Sequence, residues 1–173
     1  MNSFALFTDV SLNPELKLGV GGYLVVPTSF LEILPDRVKR TEVVERMVIR
    51  KFEGTSSTKL EVQTVLWAIE DYKKKIKHCE SEKLHVYSDS QCVSGLLRRR
   101  PRLEGNEFFS KNTRCPLKNA SLYLKFYELY DELHFEIIKV SGHSQYRSHD
   151  TVHRIFSFVD REVRKSLSLW MNG

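Results

Sequence analysis

Leu84-His85-Val86-Tyr87-Ser88-Asp89-Ser90-Gln91-Cys92-Val93 is the stretch on which the fold turns. Its first five residues read as a strand ending at Asp89, and a short helix is expected from Ser90 to about Arg98. Taken singly, an aspartate after a strand is commonly just a turn or N-cap residue. The chain offers the same arrangement near its start, where the apolar run Phe4-Ala5-Leu6-Phe7-Thr8 ends at Asp9. Helix-period sequence lies between the two runs, so the strands must be parallel if they share a sheet. Their C-terminal ends then fall on one edge. Both aspartates face a single crevice there, the place where open α/β sheets usually bind ligands.

Working outward, a polar turn around Asn13-Pro14 and the pair Gly21-Gly22 lead into a second strand, Tyr23 to Val26. Pro27 and Pro35 bracket a loop, and a third strand is expected within Glu42 to Phe52. Short connections make these three strands an antiparallel meander. Thr58-x-x-Glu61 has the capping-box form, and Val62, Val65, Leu66, Ile69 and Ile76 follow it at helical spacing. Past the first-quoted stretch, Arg98 to Pro116 reads as a basic loop and about Asn119 to Asp131 as a helix. Aromatic residues recur at helical spacing between Tyr123 and Tyr130 and are assigned to the core. Phe135 to Val140 forms a last strand that delivers His143 to the same sheet edge. After the loop Ser141 to Asp150, a final helix carries an apolar stripe of Val152, Ile155, Val159, Val163, Leu167 and Trp170. The expectation is an α/β fold with a five-stranded mixed sheet flanked by helices. Its order is β-β-β-α-β-α-α-β-α, with a three-strand antiparallel meander plus two parallel strands, in one domain spanning 1–173.

Bulk properties narrow the class. At 173 residues the chain can bury a sizeable core, and 41% hydrophobic with 28% charged residues is a globular composition. Apolar runs are too short to span a bilayer, and the opening MNSFALFTDV lacks the basic n-region of a signal peptide. Three cysteines (Cys79, Cys92 and Cys115) form no CxxC pair, which argues against a disulfide framework or thiolate zinc site and for a cytoplasmic location. A net charge of +5 is compatible with a polyanionic partner. No feature calls for an obligate protein partner.

Phosphodiester cleavage needs charge neutralised at both the attacking and the leaving oxygen, which two Mg²⁺ ions about 3.5–4 Å apart can supply. The protein's contribution to such a site is a cluster of hard oxygen ligands. Asp9 and Asp89 at strand ends, Glu61 in a first helical turn and Asp160 in the last helix are the candidates. Glu61 has a competing role as the closing residue of the capping box with Thr58. Asp160 has a rival in Asp150, which is otherwise a natural N-cap for the final helix.

Five blocks of the sequence, in order, resemble type 1 ribonuclease H. They are "LFTDVSLNPELKLGVGGY" (6–23), "SSTKLEVQTVLWAIE" (56–70), "LHVYSDSQCV" (84–93), "CPLKNASLYLKFYEL" (115–129) and "IIKVSGHS" (137–144) continuing to "FVDREVRK" (158–165). The resemblance implies a ribonuclease H-like fold and hydrolysis of the RNA strand of an RNA–DNA hybrid, leaving 5′-phosphate and 3′-hydroxyl ends. It implies that Asp9, Glu61, Asp89 and Asp160 hold two Mg²⁺ ions, with Mn²⁺ a possible substitute. His143 would assist proton transfer or product departure. Asn13, Gln91 and Asn119 would contact the hybrid, whose minor groove and 2′-hydroxyls are what such proteins read.

Three features depart from the family pattern. Val10 follows the first aspartate where glycine is usual, and Phe156 and Phe158 stand at normally polar positions in a lengthened His143–Asp160 segment. The third is the basic segment from Arg98 to Arg114, which lacks a tryptophan-rich handle. The run Arg98-Arg99-Arg100-Pro101-Arg102 is read either as a solvated helix end or as a phosphate-backbone contact. The competing functions are a DNA-directed nuclease or resolvase of the same fold, and a hybrid- or RNA-binding module with weak or no catalysis.

Overall fold

The computed structural model describes residues 2–76, 82–141 and 150–173. Strands β1 (Ser3–Asn13), β2 (Leu18–Pro27), β3 (Met47–Glu53), β4 (Lys83–Ser88) and β5 (Glu136–Lys139) form one sheet in the order β3-β2-β1-β4-β5. The first three pair antiparallel, while β1–β4 and β4–β5 pair parallel. This is the mixed five-stranded sheet expected from the sequence. Among the described residues five α-helices complete it: α1 (Arg40–Arg46), α2 (Ser57–Lys75), α3 (Gln91–Gly105), α4 (Ala120–Leu133) and α5 (Thr151–Asn172).

β1 lies at the centre, and both of its faces are covered, which is why its sequence is apolar without alternation. Leu6 faces a core built with α2, α3 and α4, including Leu60's neighbours Val62 and Val65, Leu96 and Phe126. Ala5 and Phe7 face a second core built with α5 and α1, including Val43, Ile155, Val159 and Val163. Successive strand residues alternate sides. Asp9 therefore shares the face of Phe7, the face that α5 covers.

β2 reaches the helices through glycine. A side chain at Gly21 would run into Thr64 of α2, and a Cβ at Gly22 would lie 2.6 Å from Val163 Cγ2 of α5. Both helices thus pack directly on the backbone of this strand. Gly21→Ala is expected to lower stability by about 1–3 kcal/mol through overpacking, read as a drop in the urea midpoint at unchanged m-value.

Several boundaries differ from the sequence expectation. The segment Glu42 to Arg46 is the end of α1 rather than the start of the third strand, which begins at Met47. In that turn Val43 is buried while Thr41, Glu45 and Arg46 are exposed, a helical distribution that the run of β-branched residues disguised. The observed order is therefore β-β-α-β-α-β-α-α-β-α. The third helix does not stop near Arg98 but continues through Pro101 to Gly105, held by buried Leu103 and by Arg100. Arg100 pairs with Asp131 of α4 at 2.6 Å and with Glu104 at 2.7 Å. The expected basic loop starts correspondingly later. Phe156 and Phe158 are buried in the core beneath α5, which accounts for apolar residues at those positions.

Candidate active site

The site is assembled on one edge of the sheet, at the C-terminal ends of β1 and β4. Asp9 extends β1 and pairs with Gly22 in the ladder with β2. Its carboxylate is buried at 6% exposure, yet its Oδ2 atom has no hydrogen-bond partner. Burial, a side-chain contact with Asp160 and the negative charges of Asp89 and Asp160 hold the Asp9 carboxyl well above the ordinary carboxylate range. The backbone N–H of Val10 donates to it and offsets only part of that shift. A buried carboxylate facing two others with one oxygen left over is costly as it stands.

Asp89 follows β4 and is exposed. It lies close enough to Asp9 and Glu61 to raise the carboxyls of both. Glu61 comes from the second turn of α2, and burial is the main cause of its upward shift. Its Oε2 accepts a 2.6 Å hydrogen bond from the hydroxyl of Ser90. The capping-box alternative does not form: the N-cap of α2 is Ser56, so Thr58 is inside the helix and Glu61 lies two residues beyond the box position, which Lys59 occupies.

Asp160 lies in α5 beside Val159 of the apolar stripe, and it meets Asp9 because α5 covers that face of β1. Arg164 Nε donates to Asp160 Oδ1 at 3.2 Å. Asp150, the rival, is the N-cap of α5 and accepts from the His153 backbone N–H at 2.8 Å. Ten residues of helix, about 15 Å of rise, separate the two acids along the axis.

The other candidates are dispersed around this edge. Asn13 ends β1, where its Oδ1 accepts from the Leu16 N–H at 3.1 Å and its Nδ2 points to Met171 Sδ at 3.5 Å. Gln91 is the first residue of α3 and is exposed. Asn119 is the N-cap of α4 and hydrogen-bonds the side chain of Tyr123. His143 lies outside the described residues, as do Gly142 and Cys79. Cys92 is half-buried.

Ser90 is the residue that sequence reasoning passed over. It is buried, its hydroxyl accepts from the Val93 N–H at 3.1 Å as the N-cap of α3, and the same hydroxyl donates to Glu61. A serine between a strand and a helix was the available signal; the link to Glu61 is long-range and had none. Ser90→Ala removes a cap worth about 0.5–2 kcal/mol. It is expected to lower the melting temperature and, by removing the hydrogen bond that Glu61 gives up on joining the site, to lower the metal concentration needed for half-maximal activity.

The donor set suits a hard divalent cation. It is all oxygen, it is drawn from four separate elements, and one buried oxygen of Asp9 lacks any donor. Among the described residues, no three His, Cys, Asp or Glu side chains already form a coordination shell. Glu61 is hydrogen-bonded to Ser90 and Asp160 to Arg164.

The RNase H family model matches residues 1–155. The chain belongs to the ribonuclease H family. As a member, it is a ribonuclease, a phosphodiester hydrolase. The matched span of this ribonuclease H contains Asp9, Glu61 and Asp89 and ends before Asp160. No curated protein matches the chain in sequence. Among solved structures, a foamy virus protease-reverse transcriptase in complex with an RNA/DNA hybrid superposes with a TM-score of 0.61 at 11% identity, over 95% of this chain and 19% of that one. A second foamy virus protease-reverse transcriptase structure, in complex with double-stranded DNA, gives 0.59 at 12% identity, over 95% of this chain and 94% of that chain. At such identities the likeness is one of fold. No described helix of this ribonuclease H is long and apolar enough to cross a membrane.

Proposed function

We propose that this ribonuclease H is an endonuclease that hydrolyses the RNA strand of RNA–DNA hybrids, giving 5′-phosphate and 3′-hydroxyl ends. Asp9, Glu61, Asp89 and Asp160 are its metal ligands, holding two Mg²⁺ ions for which Mn²⁺ can substitute. The observation that supports this reading is that buried Asp9, with its Oδ2 unpartnered, contacts Asp160 of α5 and feels the charge of Asp89, which also acts on Glu61 of α2. Such a cluster destabilises the protein unless cations bind it.

Bound divalent ions supply charge neutralisation at the attacking and leaving oxygens of the phosphodiester. The chain's own residues do the rest. Asp9, buried and fixed in a central strand, sets the position of the site, while exposed Asp89 sits where a phosphate can approach. Glu61 exchanges its Ser90 hydrogen bond for the site, and Asp160 closes the side covered by α5. His143, two residues past Ser141, assists proton transfer or product departure. Asn13, Gln91 and Asn119 contact the hybrid, with Asn119 and Gln91 flanking the acids at two helix N-termini, where backbone N–H groups favour phosphate.

The test is an incubation of purified protein with Mg²⁺ or Mn²⁺ and end-labelled hybrid, double-stranded DNA, double-stranded RNA and single strands. Cleavage restricted to the RNA strand of the hybrid, and lost in Asp89→Asn, supports the proposal. Binding without cutting overturns it, and cutting of DNA instead points to a resolvase-like substrate.

A further inference from the structure

Antiparallel neighbours in a meander need only a tight turn between them, yet residues 28–46 separate β2 from β3. The segment makes two short 3-10 turns (Thr28–Glu32 and Pro35–Arg37) and then α1. It packs on the α5 side of the sheet, where Val38 and Val43 are buried in one core with Ile155, Val159 and Val163 of α5. α5 is thereby enclosed between the sheet and this segment.

Apolar contact holds α5 on the sheet but is non-directional, so it specifies the roll and the slide of the helix only weakly. Asp160 needs both specified. A side-chain carboxylate stands about 5 Å from its helix axis, so a roll of about 10° carries it close to 1 Å. A misplacement of about 1 Å can cost roughly a hundredfold in rate. Among the described residues, segment 28–46 gives α5 two directional contacts. The hydroxyl of buried Thr151, in the first turn of α5, donates to the Ile33 carbonyl. Arg40 Nη2 donates to Glu162 Oε2 at 3.4 Å. One contact falls before Asp160 and the other just after it, so together they bracket the acid along the helix. The Arg40–Glu162 pair is open to solvent on the arginine side and adds little stability. What it adds is direction. Thr151 is the stronger tie, because leaving a buried carbonyl without its donor is costly.

We propose that Thr151 and Arg40 are positioning residues: through them segment 28–46 fixes the roll and slide of α5 and so the place of Asp160 beside Asp9. The proposal rests on the reading of Asp160 as a metal ligand. Its test is a cycle of full-length variants, Thr151→Val and Arg40→Gln, each made with Asp160 present and with Asp160→Asn. Two quantities are read: Mn²⁺ affinity by calorimetry without substrate, and the single-turnover rate on saturating labelled hybrid. With Asp160 present, Thr151→Val is expected to weaken Mn²⁺ binding by about fivefold, below the roughly 10–100-fold typical of a group that touches a ligand directly. The single-turnover rate falls by about tenfold, while the hybrid concentration for half-saturation stays the same. Arg40→Gln changes both quantities by about twofold and hardly moves the melting temperature. Thr151→Ser and Arg40→Lys keep the donors and restore both. In Asp160→Asn protein neither substitution has a further effect, because the group that they position is gone.

Lost stability is controlled by Leu129→Val, in the core on the opposite face of the sheet, which lowers the melting temperature and leaves Mn²⁺ affinity unchanged. Three results overturn the proposal: Thr151→Val with wild-type Mn²⁺ affinity, the same loss in Asp160→Asn protein, or an equal loss in Leu129→Val. If Asp160→Asn itself binds Mn²⁺ like the wild type, the ligand reading falls and takes this proposal with it. If Asp160→Asn binds weakly while Thr151→Val is unaffected, only this proposal falls.

Discussion

Asp9→Asn is expected to abolish hydrolysis while raising the melting temperature of the metal-free protein. The two effects have one cause. Asp9 is buried against Asp89 and Asp160, its carboxyl is held well above the usual range by burial and by those neighbours, and one of its oxygens has no donor. Asparagine keeps the shape and removes the charge, so the repulsion disappears. Each kcal/mol regained at this chain length corresponds to roughly 2–4 °C. The same substitution removes a ligand, and the loss of several kcal/mol of transition-state charge stabilisation corresponds to a rate lower by roughly a thousandfold or more. Two measurements check this: single-turnover cleavage of labelled hybrid, and thermal melts in EDTA and in Mg²⁺. Mg²⁺ should raise the melting temperature of the wild type by preferential binding to the folded state and do much less for the variant. A variant that cuts at the wild-type rate, or that melts several degrees lower in EDTA, contradicts the assignment of Asp9.

The second large effect separates two acids that the sequence leaves in competition. Asp160→Asn is expected to reduce cleavage by about a hundredfold, a few kcal/mol of lost transition-state stabilisation, with the fold unchanged. Asp150→Ala is expected to retain activity and to lose about 0.5–2 kcal/mol of stability with its N-cap. The reason is position along α5. Asp160 contacts Asp9, whereas Asp150 caps the helix start and accepts two hydrogen bonds from His153, at 2.8 Å from its N–H and 2.7 Å from its ring. Activity assays and urea melts on the same two preparations give a crossed result. The opposite crossing would make Asp150 the fourth ligand.

What could be read without coordinates was what local pattern and topology dictate. The period of the apolar residues marked β1, β4 and α2, and a helix between two strands of one sheet obliged those strands to run parallel. That obligation is enough to bring Asp9 and Asp89 to the same edge, because strand direction fixes which ends coincide. The apolar stripe of α5 was legible for the same reason: Ile155, Val159 and Val163 repeat at helical spacing and all three are buried.

Other features depend on what a segment packs against, and the tertiary structure alone decided them. Arg40 to Arg46 is helical because Val43 can be buried beneath α5, although its valines carry a strand signal. The α3 helix passes through Pro101 because Arg100 and Leu103 are anchored to α4 and the core. Glu61 is not a capping residue, since α2 begins two residues earlier than the box requires and Ser90 of another element claims its carboxylate. Commitment of Arg100 to an ion pair likewise rests on Asp131, a partner far away in sequence. Among the four carboxylates, Asp9 and Asp89 come together by strand direction, a property of local pattern. Asp160 comes to them because one helix covers the Phe7 face of β1, and that contact is long-range packing, which leaves no trace in local sequence.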